Sequence, residues 1–79
     1  MTNLEKYNSV FITTFEIDGN ALGEDLVYQS IPQWDSVGHM ALMAGLEETF
    51  DIMMDTDDII DFSGYEKGKE ILVKYDVMI

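Results

Sequence analysis

The sequence predicts an all-α protein: a small four-helix bundle of three main helices and one short helix, with a long first loop. Three observations predict it. Apolar residues recur at helical spacing in three stretches, near 2–16, 35–50 and 64–76. Residues suited to opening helices stand ahead of them, at Thr2, Asp35 and Ser63. Between the first two stretches the periodicity fails across eighteen positions, Ile17 to Trp34, where Gly19, Gly23 and Pro32 interrupt any regular element. Seventy-nine residues leave room for one domain, 1–79.

Thr2-x-x-Glu5 has the form of a capping box. The helix it opens, about 2–16, carries Leu4, Tyr7, Phe11 and Phe15 on one face with Val10 beside them, and Asp18-Gly19-Asn20 stops it. A loop as long as 17–34 needs pinning, and Leu22, Leu26, Val27, Tyr28 and Ile31 can provide it. Pro32 keeps the approach to Trp34 extended. Trp34 either shields the base of the next helix or meets a partner. After Phe50, the acids Asp55, Asp57 and Asp58 suit the first turn of a short helix over 56–62. Ser63-x-x-Glu66 then reads as a second capping box for a final helix over 64–76, with Ile71, Leu72 and Tyr75 on its apolar face and Val77-Met78-Ile79 as a sticky end.

The helix over 35–50 is the unusual one. Asp35 is a good N-cap, which makes Ser36 the first helical residue, on a tip with partial positive charge. A phosphate ester on that exposed hydroxyl lies beside free amides, so the geometry suits a modification site. His39, Leu42, Met43, Leu46 and Phe50 form a core-facing stripe. Val37, Met40, Ala41 and Ala44 form a second apolar stripe that one small domain cannot easily bury as well. Glu47, Glu48 and Asp51 gather at the C-terminal end, where the helix dipole disfavours them. An apolar strip flanked by carboxylates reads as a docking surface for a basic partner.

Composition narrows the function. Sixteen acidic residues oppose four lysines and no arginine, a net charge of −12 with His39 neutral. Such a chain repels nucleic acid and anionic membranes and offers no basic patch for phosphate. Disorder fits poorly with 47% hydrophobic residues at helical period. There is no cysteine, so thiol chemistry must come from an added group. No apolar run reaches membrane-spanning length and Met1–Lys6 lacks the look of a signal peptide, so the expectation is a cytoplasmic monomer without membrane insertion. An EF-hand does not fit: counting from Asp51, positions six and twelve are Thr56 and Phe62. A Ser36–His39 dyad, one turn apart, lacks a third group to hold the base and donors for an oxyanion. No catalytic residue or metal site is therefore expected.

The stretch Asp35-Ser36-Val37, with Leu42, Leu46-Glu47-Glu48 and Phe50-Asp51 behind it, resembles the acyl carrier protein family. The likeness runs over nearly the whole chain. It implies a 4'-phosphopantetheine arm from coenzyme A on Ser36, whose thiol carries an acyl group as a thioester. It also implies a phosphopantetheinyl transferase, bringing its own magnesium, and acyl-loading, modifying and transferring enzymes with basic surfaces. Asp35, Val37, Met40, Ala41, Glu47, Glu48 and Asp51 are the docking candidates. Met43, Leu46, Met54 and Ile60 are candidates for an acyl cavity or, equally, for ordinary core.

Fatty-acid carriers of the family usually have acids where Gly38 and Ala41 stand. Glycine there also makes the helix start less rigid. The departure points to a specialised carrier in a lipid, polyketide, glycan or aminoacyl route, with fatty-acid synthesis and an aminoacyl or peptidyl carrier as alternatives. An unmodified acidic interaction domain is the reading from a different class.

The charge generates a first prediction. Raising salt from about 10 mM to about 150 mM shortens the screening length from ~30 Å to ~8 Å, so the melting temperature should rise. A thermal scan across that range checks it, and a flat response rejects repulsion as a term in stability.

Overall fold

The computed structural model describes residues 1–79, from Met1 to Ile79. Four helices and no strand make up the chain: α1 (Asn3–Phe15), α2 (Ser36–Phe50), α3 (Thr56–Asp61) and α4 (Tyr65–Val73), with one 3-10 turn, Gly19–Ala21, in the first loop. The small helical bundle expected from the sequence is the fold observed.

Helix α1 begins as its capping box dictates. The Glu5 N–H donates to Thr2 Oγ1 (3.1 Å), and the Thr2 N–H donates back to Glu5 Oε1 (3.0 Å). That pairing holds the Glu5 carboxyl below its usual range, the backbone N–H of Thr2 being the larger cause. The helix stops at Glu16, a left-handed cap with φ 54° whose N–H reaches the Ile12 carbonyl, ahead of the glycine expected to end it. Tyr7, Val10, Phe11 and Phe15 are buried, whereas Leu4 is largely exposed and not part of the core stripe.

Phe11 is the centre of the core. Its ring meets Tyr7 at 4.9 Å, Tyr65 at 5.3 Å, Trp34 at 5.7 Å and Phe15 at 6.0 Å between centroids. Trp34 has no exposed surface, which makes it the shield of the α2 base rather than a surface contact. The Tyr7 hydroxyl, buried with it, donates to the Tyr65 carbonyl at 2.6 Å, and burial pushes this phenol far above its usual range.

The first loop is pinned by backbone more than by side chains. Leu26 is buried and Leu22 and Ile31 half-buried, but Val27 and Tyr28 stay exposed. Instead, Val27 and Gly64 form an isolated antiparallel bridge: the Tyr28 N–H donates to the Ser63 carbonyl and the Tyr65 N–H to the Leu26 carbonyl, each at 2.8 Å. This bridge corrects the second capping box. Gly64, not Ser63, caps α4, without a side-chain bond, because the bridge to the first loop already satisfies the helix's first amide. The side chain of Val27 lies so close that a Cβ on Gly64 would sit 2.9 Å from its Cγ1.

Helix α4 ends sooner than the range 64–76 read from the sequence. Beyond Val73 the chain tightens into bonds from Lys74, Tyr75 and Asp76 to the carbonyls three residues back, and Asp76 turns left-handed at φ 63°. The turn folds Val77 into the core while Met78 remains exposed, so only part of the sticky end is free. Of the α4 cations, Lys69 pairs with Glu66 at 3.5 Å, and Lys74, just past the helix, pairs with Asp58 at 2.9 Å.

Gly68 allows α4 to approach the core: a Cβ there would lie 2.1 Å from Phe62 Cζ and 2.2 Å from Tyr7 Oη. Gly68→Ala should therefore destabilise, because the overpacking cost of about 1–3 kcal/mol exceeds the gain of about 1 kcal/mol in helix propensity. Urea unfolding measures the difference; an alanine variant more stable than the parent would mean the two rings move aside freely.

Candidate functional site

The tip of α2 is assembled from three separate stretches. Asp35, in extended conformation, accepts the Gly38 N–H on Oδ1 (2.8 Å), and its carbonyl accepts the His39 N–H (2.8 Å). Ser36 is thereby the first helical residue, and its side chain is exposed. Behind the tip, the Gln33 carbonyl presses against Gly38 so closely that a Cβ would lie 1.9 Å from it. The Gln33 side chain donates to the Phe15 carbonyl at 3.1 Å. Gly38 is thus the residue that lets the tip brace against the end of α1, a packing role that the sequence does not show.

The two apolar stripes of α2 go separate ways. Leu42, Met43 and Leu46 are buried, with His39 and Phe50 half-buried beside them. On the opposite face Val37 is 78% exposed and Met40 56%, with Ala41 and Ala44 also open. At 3.6 residues per turn these share a face of about 140° with Ser36, Glu47, Glu48 and Asp51. Within that face the acids differ. Glu47 is half-buried and accepts the Met54 N–H at 2.9 Å, which ties down the link to α3. Glu48 lies toward a polar groove shared with Thr13 and Thr14 of α1. Asp51 is exposed and forms the left-handed cap of α2, with φ 54°.

Beside Ser36 an apolar groove of about 340 Å³ opens between α2 and α3, lined by Tyr28, Ser36, His39, Met40, Ile59, Ile60, Phe62 and Ser63. It differs from the interior cavity considered for Met43, Leu46, Met54 and Ile60. The first three are buried in the core and line none of the molecule's cavities, while Ile60 is 72% exposed on the groove. The physical reason is His39. Its Nδ1 accepts from Trp34 Nε1–H at 2.9 Å, so Nε2 carries the ring proton and donates to the Ile59 carbonyl at 2.8 Å. The imidazole thus fills the slot between α2 and α3 and gives the groove its floor. With both nitrogens engaged, it is not the base of a dyad with Ser36 in this geometry.

Tyr28, expected from the sequence only as one of the residues pinning the first loop, forms another wall. Its hydroxyl stands 3.2 Å from Ser36 Oγ, and its ring meets His39 edge-on at 5.5 Å. No group of three or more His, Asp or Glu side chains is placed to hold a metal ion, and no helix is long and apolar enough to cross a membrane. The chain matches no protein-family model, no curated protein and no solved structure in the comparisons made. Likeness decides nothing here.

Helix α3, the outer wall, is short, and Asp55 caps it without a side-chain bond. It is held instead by Asp58, only 7% exposed, which accepts from Tyr75 Oη at 2.5 Å and Lys74 Nζ at 2.9 Å; Tyr75 Oη in turn accepts the Asp55 N–H at 2.9 Å. The Tyr75 hydroxyl first, and Lys74 second, hold the Asp58 carboxyl below its usual range. A depressed folded-state pKa gives stability that is fully present above the ordinary aspartate value of about 4 and is lost as pH falls below it. Asp58→Asn should accordingly melt below the parent at pH 7, with the gap closing under stronger acid. Paired melts from pH 7 to pH 2 check this, and a gap independent of pH would remove the charge from the interaction.

Proposed function

We propose that this chain is a non-catalytic carrier that receives a 4'-phosphopantetheine arm on Ser36 and presents acyl groups to partner enzymes. One observation carries the reading: the Ser36 hydroxyl is open to solvent on a braced helix tip, and the nearby imidazole is engaged elsewhere. On this reading the hydroxyl is the group that another protein acts upon. Around it, the residues fit the group. With the Gly38 and His39 amides bonded to Asp35, the amides of Ser36 and Val37 are left to suit a phosphodiester, and the apolar groove begins at the serine itself.

Loading proceeds by attack of Ser36 Oγ on the phosphorus of coenzyme A that bears the pantetheine. The Oγ–P bond forms as the P–O bond to adenosine 3',5'-bisphosphate breaks, and the serine proton passes to a base on the transferase, which also supplies magnesium. The arm contributes a terminal thiol that holds cargo as a thioester.

The rest of the α2 face serves docking. Val37, Met40, Ala41 and Ala44 are the exposed apolar contacts, and Asp35, Glu48 and Asp51 the exposed acids for basic partners. Glu47 belongs to the set more weakly, being spent on Met54. Steered, short-lived contacts suit a soluble cytoplasmic monomer that visits several enzymes in turn. The alanine at position 41 favours a specialised route over fatty-acid synthesis or an aminoacyl route. Gly38 no longer bears on that choice, since packing against Gln33 accounts for it.

Incubation with coenzyme A and a broad-specificity phosphopantetheinyl transferase should add one phosphopantetheine to the chain. Ser36→Ala should add none while staying within about 0.5 kcal/mol of parental stability, as an exposed position does. Intact-mass spectrometry reads both. A wild-type chain that never gains the mass returns the protein to an unmodified acidic interaction domain, and a modified alanine variant moves the site.

A further inference from the structure

Tyr28 is placed with more constraint than an exposed loop residue needs. Its own N–H is fixed to the Ser63 carbonyl at 2.8 Å, and the next residue's N–H to the Trp34 carbonyl at 2.9 Å. Gln29 accepts a left-handed conformation, φ 67°, to make that second bond. The ring rests edge-on against His39, itself held from both sides. Although 36% exposed, the side chain thus has its backbone clamped and its ring seated, and its hydroxyl stands 3.2 Å from Ser36 Oγ.

Resting on the carrier reading, we propose that Tyr28 is a positioning residue for Ser36: its hydroxyl holds Oγ before modification and the phosphodiester afterwards, laying the first apolar carbons of the arm along the Met40–Ile60 groove. The direction follows from acceptor strength. Once Oγ is esterified it loses its proton and becomes a poor acceptor, while the adjoining phosphate oxygens carry charge. A phenol O–H bonds such an oxygen more strongly than a neutral one. The groove that Ser36 and Tyr28 share is walled by Met40, Ile59 and Ile60, so an arm anchored there meets apolar surface immediately.

The test loads the full chain, Tyr28→Phe and Ile60→Ala with 13C-labelled coenzyme A. It records the 31P resonance, the nuclear Overhauser contacts from the arm's geminal methyls to Met40 and residue 60, and the loading kinetics. The backbone bonds of Tyr28 do not need its hydroxyl, so Tyr28→Phe should fold as the parent does. It should load with kcat/KM lower by roughly three- to tenfold, the worth of one hydrogen bond. Its 31P resonance should move and its arm contacts weaken. Ile60→Ala should keep the parental 31P resonance while losing arm contacts at that wall. Wild type with no arm contacts in the groove, or a phenylalanine variant identical to it in resonance and rate, overturns the role of Tyr28 alone. A wild type that cannot be loaded overturns the carrier reading together with it.

Discussion

The geometry around Ser36 depends on one side chain, the imidazole of His39. It accepts from the Trp34 indole and donates to the Ile59 carbonyl, and so joins three segments that share no regular backbone pairing: the end of the first loop, α2 and α3. Trp34 is in turn seated against Phe11 and Phe15. The aromatic core thereby sets the imidazole, and the imidazole sets the distance between α2 and α3. Beside it, α3 is held by Asp58 with its two partners and by Ile59 against the core.

Helix α2 is then intelligible as a compromise. One face is fully used by the core, and the face beside Ser36 leaves Val37 and Met40 in water, where a chain selected only for folding would place charge. Carboxylates follow at the end of the helix where they are least welcome. Glu47 offsets part of that cost by accepting the Met54 amide, whereas Glu48 and Asp51 have no side-chain partner in the fold. Features that do not help the fold are the ones that a passing partner could use.

Much of this was legible in the sequence because the forces concerned are local. Period and capping act over three or four residues, so Thr2, Asp35, the α1 aromatics and both stripes of α2 could be read directly. Long-range backbone bonds could not. Ser63-x-x-Glu66 has the right spelling for a capping box, yet the antiparallel bridge between Val27 and Gly64 makes that cap unnecessary. Close approaches are equally silent: only the fold shows that Gly38 faces the Gln33 carbonyl and Gly68 the Phe62 ring. The same holds for the methionines. Met43 and Met54 are flexible enough to line a cavity, but whether they do depends on what fills the gap between α2 and α3, and here a hydrogen-bonded imidazole fills it.

The tie between α3 and the final turn has a thermodynamic corollary. Asp58 meets Tyr75 and Lys74 on one side of α3, while Ile59 and Ile60, its immediate successors, wall the groove on the other. Linkage is reciprocal: a ligand that favours the placement of that wall in which Tyr75 holds Asp58 would strengthen that hold by the same coupling free energy. The phenol of Tyr75, far along the chain from Ser36, is thus tied to the same short helix that walls the groove beside the serine.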